Sequence, residues 1–161
     1  MAFEILGDDN LQIIDGFEKL DEVEKIFAEY KDFIGFNLSF QPADSTQEEI
    51  LNRYHDGKIF LAEIDGEISG CIAYHRMEND FDTCELKRFF VRDEYRGEHV
   101  GRKLIQYAID SAKNEGYKKI LLDTHASYDS ARHLYESFGF VEIPPYYFNP
   151  LQNVIYYELE L

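Results

Sequence analysis

The sequence predicts an α/β (α+β) domain with a mixed sheet and helices packed on it. Residues 58–75 carry a hairpin pattern around Asp65-Gly66, which implies antiparallel strands. Residues 83–123 read as strand, helix, strand, which implies a right-handed parallel crossover. The chain has 161 residues, 45% apolar and 16% aromatic, enough for one core, so residues 1–161 are read as one domain.

The N-terminal third reads as helical. Val23, Ile26, Phe27, Tyr30 and Ile34 recur at helical spacing, and Gly35 offers a stop. Asp21 with Glu24 resembles a capping box, and Asp15 with Glu18 is a competing start. Ser45-Thr46-Gln47-Glu48 signals a second helix to about Tyr54, and Asp56-Gly57 breaks it. Lys58 to Ile64 and Glu67 to His75 are the hairpin strands, and Asn79-Asp80 is the next turn. Thr83 to Val91 follows as a strand, where adjacent Phe89-Phe90 implies burial on both faces or a bulge. A long helix containing Val100, Leu104, Ala108 and Ala112 ends near Gly116. Lys119 to Asp123 is a strand, and Ser130 to Phe138 a helix closed by Gly139. Val141 to Ile143 and Val154 to Leu161 are the last strands.

Sixteen basic against 32 acidic residues give a net charge of −16, which repels nucleic acid and anionic lipid. No apolar run approaches the roughly 20 residues of a membrane span. Met1-Ala2-Phe3-Glu4 lacks a signal-peptide pattern, and Cys71 and Cys84 read as buried free thiols, so a cytoplasmic location is expected. The histidines at 55, 75, 99, 125 and 133 show no metal-ligand spacing, so no metal is expected. The charge is uneven. Residues 1–50 hold three Lys and thirteen Asp/Glu, whereas residues 87–103 hold six basic and three acidic side chains. That positive segment coincides with a Gly-containing turn between a strand and a helix N-terminus. Such a turn presents unpaired N–H groups and the positive end of the helix dipole to an anion, so a phosphate-bearing ligand is expected there.

Three segments carry a family resemblance. Glu85-Leu86-Lys87-Arg88-Phe89-Phe90-Val91, Tyr95-Arg96-Gly97-Glu98-His99-Val100-Gly101 and Leu134-Tyr135-Glu136-Ser137-Phe138-Gly139-Phe140 resemble, in order and spacing, the GNAT superfamily of N-acetyltransferases. The similarity runs from about Val23 to Leu161. Leu122-Asp123-Thr124 and Pro144-Pro145-Tyr146-Tyr147-Phe148-Asn149-Pro150 resemble a branch of small GNAT proteins of unassigned acceptor. The resemblance implies the GNAT fold: a mostly antiparallel sheet whose central parallel pair splays around acetyl-CoA, with helices on both faces. The family's cofactor motif is Arg/Gln-x-x-Gly-x-Gly/Ala. Arg96 and Gly101 fit its ends, and His99 replaces its middle glycine.

The resemblance implies a direct transfer of acetyl from acetyl-CoA to a primary amine in a ternary complex. The Arg96-Gly97-Glu98-His99-Val100-Gly101-Arg102 turn would hold the pyrophosphate. The backbone of Phe89, Phe90 and Val91 would hold the pantetheine arm and face the oxyanion. Glu85 is the first candidate for general base and Asp123 its rival; a positioned base is worth on the order of 10²–10⁴ in rate. A Glu85 paired with Lys87 or Arg88, or a turn-forming Asp123, is the structural alternative. Tyr135 is the candidate acid for the leaving thiolate. Tyr128 stands where several relatives have a pantetheine-binding Asn. Tyr146, Tyr147 and Phe148 are candidates for walling the acceptor pocket or for packing at a strand corner. The acidic N-terminal third favours a small cationic acceptor, a small molecule or peptide amine, and the aromatic tail is a candidate homodimer surface. A CoA-binding sensor without catalysis, or a transferase of another acyl-CoA, would share the same motifs.

Overall fold

The computed structural model describes residues 10–97 and 99–161. Its sheet contains β1 (Leu11–Asp15), β2 (Lys58–Ile64), β3 (Glu67–Met77), β4 (Asp80–Val91), β5 (Lys119–His125), β6 (Val141–Ile143) and β7 (Val154–Glu160), in the order β1-β2-β3-β4-β5-β7-β6. Neighbours are antiparallel except β4 and β5. Helices α1 (Leu20–Ile34) and α2 (Gln47–Arg53) cover one face. Their Val23, Ile26, Phe27 and Ile50 pack with Leu61, Cys71, Ala73 and Phe90 of the sheet. Helices α3 (Val100–Asn114) and α4 (Asp129–Ser137) cover the other. There Leu104, Ile105, Ala108 and Tyr135 meet Ile72, Leu86, Ile120 and Leu122. No helix among the described residues is long and apolar enough to cross a membrane.

The N-terminal third is not wholly helical. Leu11–Asp15 is an edge strand, registered from Leu11↔Ile64 to Asp15↔Phe60. Leu11 and Ile13 pack on the α3 face and Ile14 on the α1 face, an alternation that a helix cannot make. The Asp15 start is a single 3₁₀ turn, Gly16–Glu18, whose Phe17 N–H donates to the Asp15 carboxylate at 2.9 Å. Helix α1 then begins at Leu20 with Lys19 as cap and no side-chain cap bond, so the Asp21/Glu24 box does not form. The capping box of α2 belongs to Thr46 and Glu49, one residue later than the Ser45/Glu48 pairing. The Asp65-Gly66 turn has φ of 50° and 83°, the doubly positive geometry that matches strand twist. The Met1–Glu4 segment lies outside the described residues.

Two irregularities of β4 shape the centre of the molecule. Across β3 the register steps from Cys71↔Phe90 to Ala73↔Lys87, so Arg88 and Phe89 together oppose Ile72. Arg88 takes φ +59°, the signature of a bulge on β4. Phe89 then turns to the α4 face, its ring 5.8 Å from that of Tyr135, while Phe90 turns to α1, its ring 6.2 Å from that of Tyr30. Both sequence readings of Phe89-Phe90 hold at once. On its other edge β4 pairs with β5 at Thr83↔Lys119, Cys84↔Ile120 and Glu85↔Leu121, and no further. Beyond Glu85 the two parallel strands diverge.

Candidate active site

The divergence opens a cleft of about 700 Å³ between Leu86–Val91 of β4 and Leu122–His125 of β5. At one end it meets the turn before α3. The helix begins at Val100 with no acidic residue in its first turn and no side-chain cap, and Arg102 stands there. Its first-turn N–H groups, with the dipole, therefore face the cleft uncompensated. His99 sits at φ +65°, ψ 12°, the left-handed region that glycine occupies without penalty. A glycine would meet this backbone requirement without strain, and here a histidine meets it. A Cβ on Gly101 would meet Phe89 Cζ at 3.0 Å and Leu134 Cδ2 at 3.2 Å, so the cradle is tight where the helix meets the cleft wall. Gly97 and Arg96 complete the turn. The Arg96 guanidinium lies 4.8 Å from the Phe33 ring centroid and gives Nε to the Val91 carbonyl at 3.1 Å. Glu98 lies outside the described residues.

Five of the six basic residues of the positive segment divide three ways in space. Arg96 and Arg102 line the cleft at the turn. Arg92 leaves it, donating to Glu29 at 2.7 and 2.8 Å. Lys87 and Arg88 line the cleft on the α1 side of the sheet.

Tyr135 of α4 forms part of the cleft wall. Its ring packs against Phe89, Phe140 and Tyr157, and its hydroxyl has no hydrogen-bond partner among the described residues. Burial, with Tyr30 and Asp123 nearby, pushes the phenol well above its ordinary range, so it stays protonated at neutral pH. Tyr128, the residue before α4, lines the cleft and stacks on Phe33 at 6.0 Å.

The two candidate bases occupy different places. Asp123 lines the cleft, whereas Glu85 sits at the last paired rung of β4 and β5, buried on the α1 face and outside the cleft lining. Glu85 Oε1 is 2.9 Å from His75 Nε2, and Oε2 accepts from the Tyr146 hydroxyl at 2.5 Å. Burial alone would raise its pKa. The Lys87 charge, then His75 and Tyr146, outweigh that and hold it at about 2. Lys87 Nζ stands between the carboxylates, 3.7 Å from Glu85 and 3.9 Å from Asp123. The Tyr147 hydroxyl donates to Asp123, and Asn149 Nδ2 donates to that hydroxyl at 3.0 Å. Tyr146 and Tyr147 meet Tyr156 edge-on at 5.4 and 5.8 Å, so they pack at the strand corner and their hydroxyls reach the site's carboxylates. Phe148 is 86% exposed and joins neither.

The bulge residue heads a second network. Arg88, almost fully buried, gives Nε to Asp44 Oδ2 at 2.8 Å and Nη2 to Oδ1 at 3.3 Å. Asp44 also faces Lys31 at 2.7 Å and Arg53 at 3.9 Å, and the buried Tyr54 hydroxyl donates to it at 3.1 Å. Arg88 and Lys31 outweigh burial and lower the Asp44 pKa. Asp44, Tyr30 and Gln41 were not legible at this site. They arrive from α1 and the loop after it by long-range packing, with no local motif. The cysteines are free and buried, and the Cys71 thiol donates to the Arg88 carbonyl at 3.1 Å.

A seven-stranded mixed sheet parted at its one parallel pair, with a helix N-terminus at the mouth of the gap, defines an acyltransferase of the acetyltransferase class. The profile of the Acetyltransferase (GNAT) family matches residues 20–140, and the chain belongs to that family. An uncharacterised N-acetyltransferase of Schizosaccharomyces pombe is 34% identical over 89% of this chain and 90% of its own length. A crystal structure of a GNAT-family acetyltransferase from Staphylococcus aureus Mu50 superposes with a TM-score of 0.72 at 28% identity, covering 93% of this chain and 98% of that one. A GNAT-family acetyltransferase from Elizabethkingia anophelis, solved with acetyl-CoA bound, shares the fold with a TM-score of 0.63 at 24% identity, covering 95% of this chain and 99% of that one.

Proposed function

We propose that the chain moves an acetyl group from acetyl-CoA directly to a primary amine, with both substrates bound together. The observation that carries this reading is the gap beyond Glu85↔Leu121, where an unbonded Tyr135 hydroxyl borders a cleft that begins at the N-terminus of α3. The acetyl-CoA in the Elizabethkingia relative supports the choice of donor. Acetyl-CoA supplies an activated thioester. The protein's part is to hold, orient and move protons.

The Arg96-to-Arg102 turn holds the pyrophosphate, chiefly through backbone N–H groups at the start of α3. The freed edge of β4 at Phe89–Val91 offers main-chain groups to the pantetheine arm and an N–H to the developing oxyanion. Asp123 accepts the proton of the amine. What favours it over Glu85 is its place in the cleft lining and the tight hold of His75, Lys87 and Tyr146 on Glu85. Glu85 instead fixes Lys87 and Tyr146. Tyr135 gives its proton to the departing sulfur, whose own basicity rises in the same buried surroundings.

The test is free-thiol release from acetyl-CoA with a panel of amines, for the wild type and Tyr135→Phe. Turnover that falls at least about tenfold in kcat in Tyr135→Phe, with unchanged CoA affinity by calorimetry, supports the assignment. CoA binding without turnover of any amine by the wild type would overturn the transferase reading.

A further inference from the structure

We infer that the acceptor is a small amine bearing a carboxylate a few bonds from its nitrogen, an amino-acid-like compound, and that Lys87 and Arg88 hold that carboxylate. The inference specifies the acceptor of the transfer reading above and rests on it.

Consecutive strand residues point to opposite faces of a sheet. The bulge at Arg88 breaks that rule. Lys87 reaches Glu85 and Asp123, Arg88 reaches Asp44, and both line the cleft on the α1 side. Both are buried, at 8% and 3% exposure. A buried cation persists only where anions or hydrogen bonds satisfy it. Neither is fully satisfied by the protein. Arg88 commits Nε and Nη2 to Asp44, leaving Nη1 with no hydrogen-bond partner among the described residues. The carboxylates near Lys87 Nζ stand at 3.7 and 3.9 Å, beyond hydrogen-bond reach.

The charge balance points the same way. Asp44 is a single carboxylate facing three cations, Arg88, Lys31 and Arg53. An anion entering beside Arg88 relieves that excess, and a second cation would aggravate it. Tyr30 adds a donor. It lines the cleft under the Arg88 guanidinium, 5.4 Å from ring centroid to Cζ, and its hydroxyl has no partner among the described residues. An acceptor for the amine is present too: Asp123 lines the same cleft. No Asp or Glu from residues 10–50 lines the cleft, so the acidic N-terminal third does not select a cationic acceptor there.

The experiment compares matched substrates on the wild-type protein: an α-amino acid, its methyl ester and the corresponding decarboxylated amine, for several side chains, by thiol release. The amino acids are expected to show kcat/KM about 10- to 100-fold above the other two, the worth of hydrogen bonds to a charged group. Lys87→Met should raise KM for the amino acid and shrink, within that variant, its kcat/KM advantage over the decarboxylated amine to a few-fold. Equal or better turnover of the esters and amines overturns the inference and leaves acetyl transfer standing. Should no compound turn over, saturation-transfer NMR with CoA present decides. Amino-acid binding that is lost on esterification upholds the carboxylate site while the transfer reading falls. Absence of amino-acid binding overturns the site as well.

Discussion

At residue 99 the requirement is on the backbone, not on the side chain. A φ of +65° is reached freely by glycine, at modest cost by histidine, and at a cost of about 1–3 kcal/mol by a β-branched residue. His99→Gly should therefore leave stability within about 1 kcal/mol of wild type, while His99→Val should lose about 1–2 kcal/mol. Urea denaturation measures both, and a neutral valine would disprove the left-handed assignment. The departure from the family motif was plain in the sequence, but its physical meaning was not, because a φ value is not written in residue identity. The placement of Asp123 and Tyr135 at the cleft was legible for a related reason: each lies in a short motif whose element could be read locally. Glu85 was legible as a chemical group but not as a placement. Its partners His75 and Tyr146 come from β3 and the loop before β7. Lys87 and Arg88 were counted with the phosphate turn, since only the bulge reveals that both line the cleft away from that turn.

Among the elements, those bounded by local chemistry were the readable ones. The Asp65-Gly66 hairpin and the Gly35 end of α1 follow from turn and cap geometry within a few residues. Strand β1 was missed because five residues, Leu-Gln-Ile-Ile-Asp, carry too few alternations to outvote the helical pattern beside them. Its identity comes from pairing with β2 some fifty residues on, and from Gly16, where a Cβ would meet Ile59 Cγ2 at 2.6 Å. Helix α2 offers a sharp test of register, because two candidate capping boxes overlap. Thr46 Oγ1 accepts from the Glu49 N–H at 3.2 Å, and Glu49 Oε1 accepts from both the Ser45 and Thr46 N–H groups. Ser45 Oγ accepts from Lys31 at an exposed position. Thr46→Ala should thus cost about 1 kcal/mol, and Ser45→Ala only a few tenths. Equal losses in thermal unfolding would move the cap back one residue. The helix matters to the site because it follows directly on Asp44, the anchor of Arg88.

For the whole molecule, acid stability sets two effects of opposite sign against each other. With 32 acidic and 16 basic residues, the chain repels itself at neutral pH, and mild acidification relieves that repulsion. The buried carboxylates work the other way. Glu85 has a folded pKa of about 2 against an ordinary value of 4.5, so its contribution is complete above pH 4.5 and is lost as the pH falls from there towards 2. A depression of that size corresponds to about 3 kcal/mol, and Asp44, also lowered, adds to the same limb. Stability should therefore hold or rise slightly from pH 7 to about 5 and then fall steeply below about 4.5. Glu85→Gln removes the titrating group while keeping an acceptor for Tyr146. It should lower stability at pH 7 and flatten the acid limb, with the slope between pH 4.5 and 3 reduced by up to one proton, about 1.4 kcal/mol per pH unit. Urea midpoints for both proteins across pH 3 to 7 measure this. Parallel curves would mean that Glu85 titrates alike in the folded and unfolded chain, and the tight network around it would then fail as a reason to propose Asp123 over Glu85 as the base.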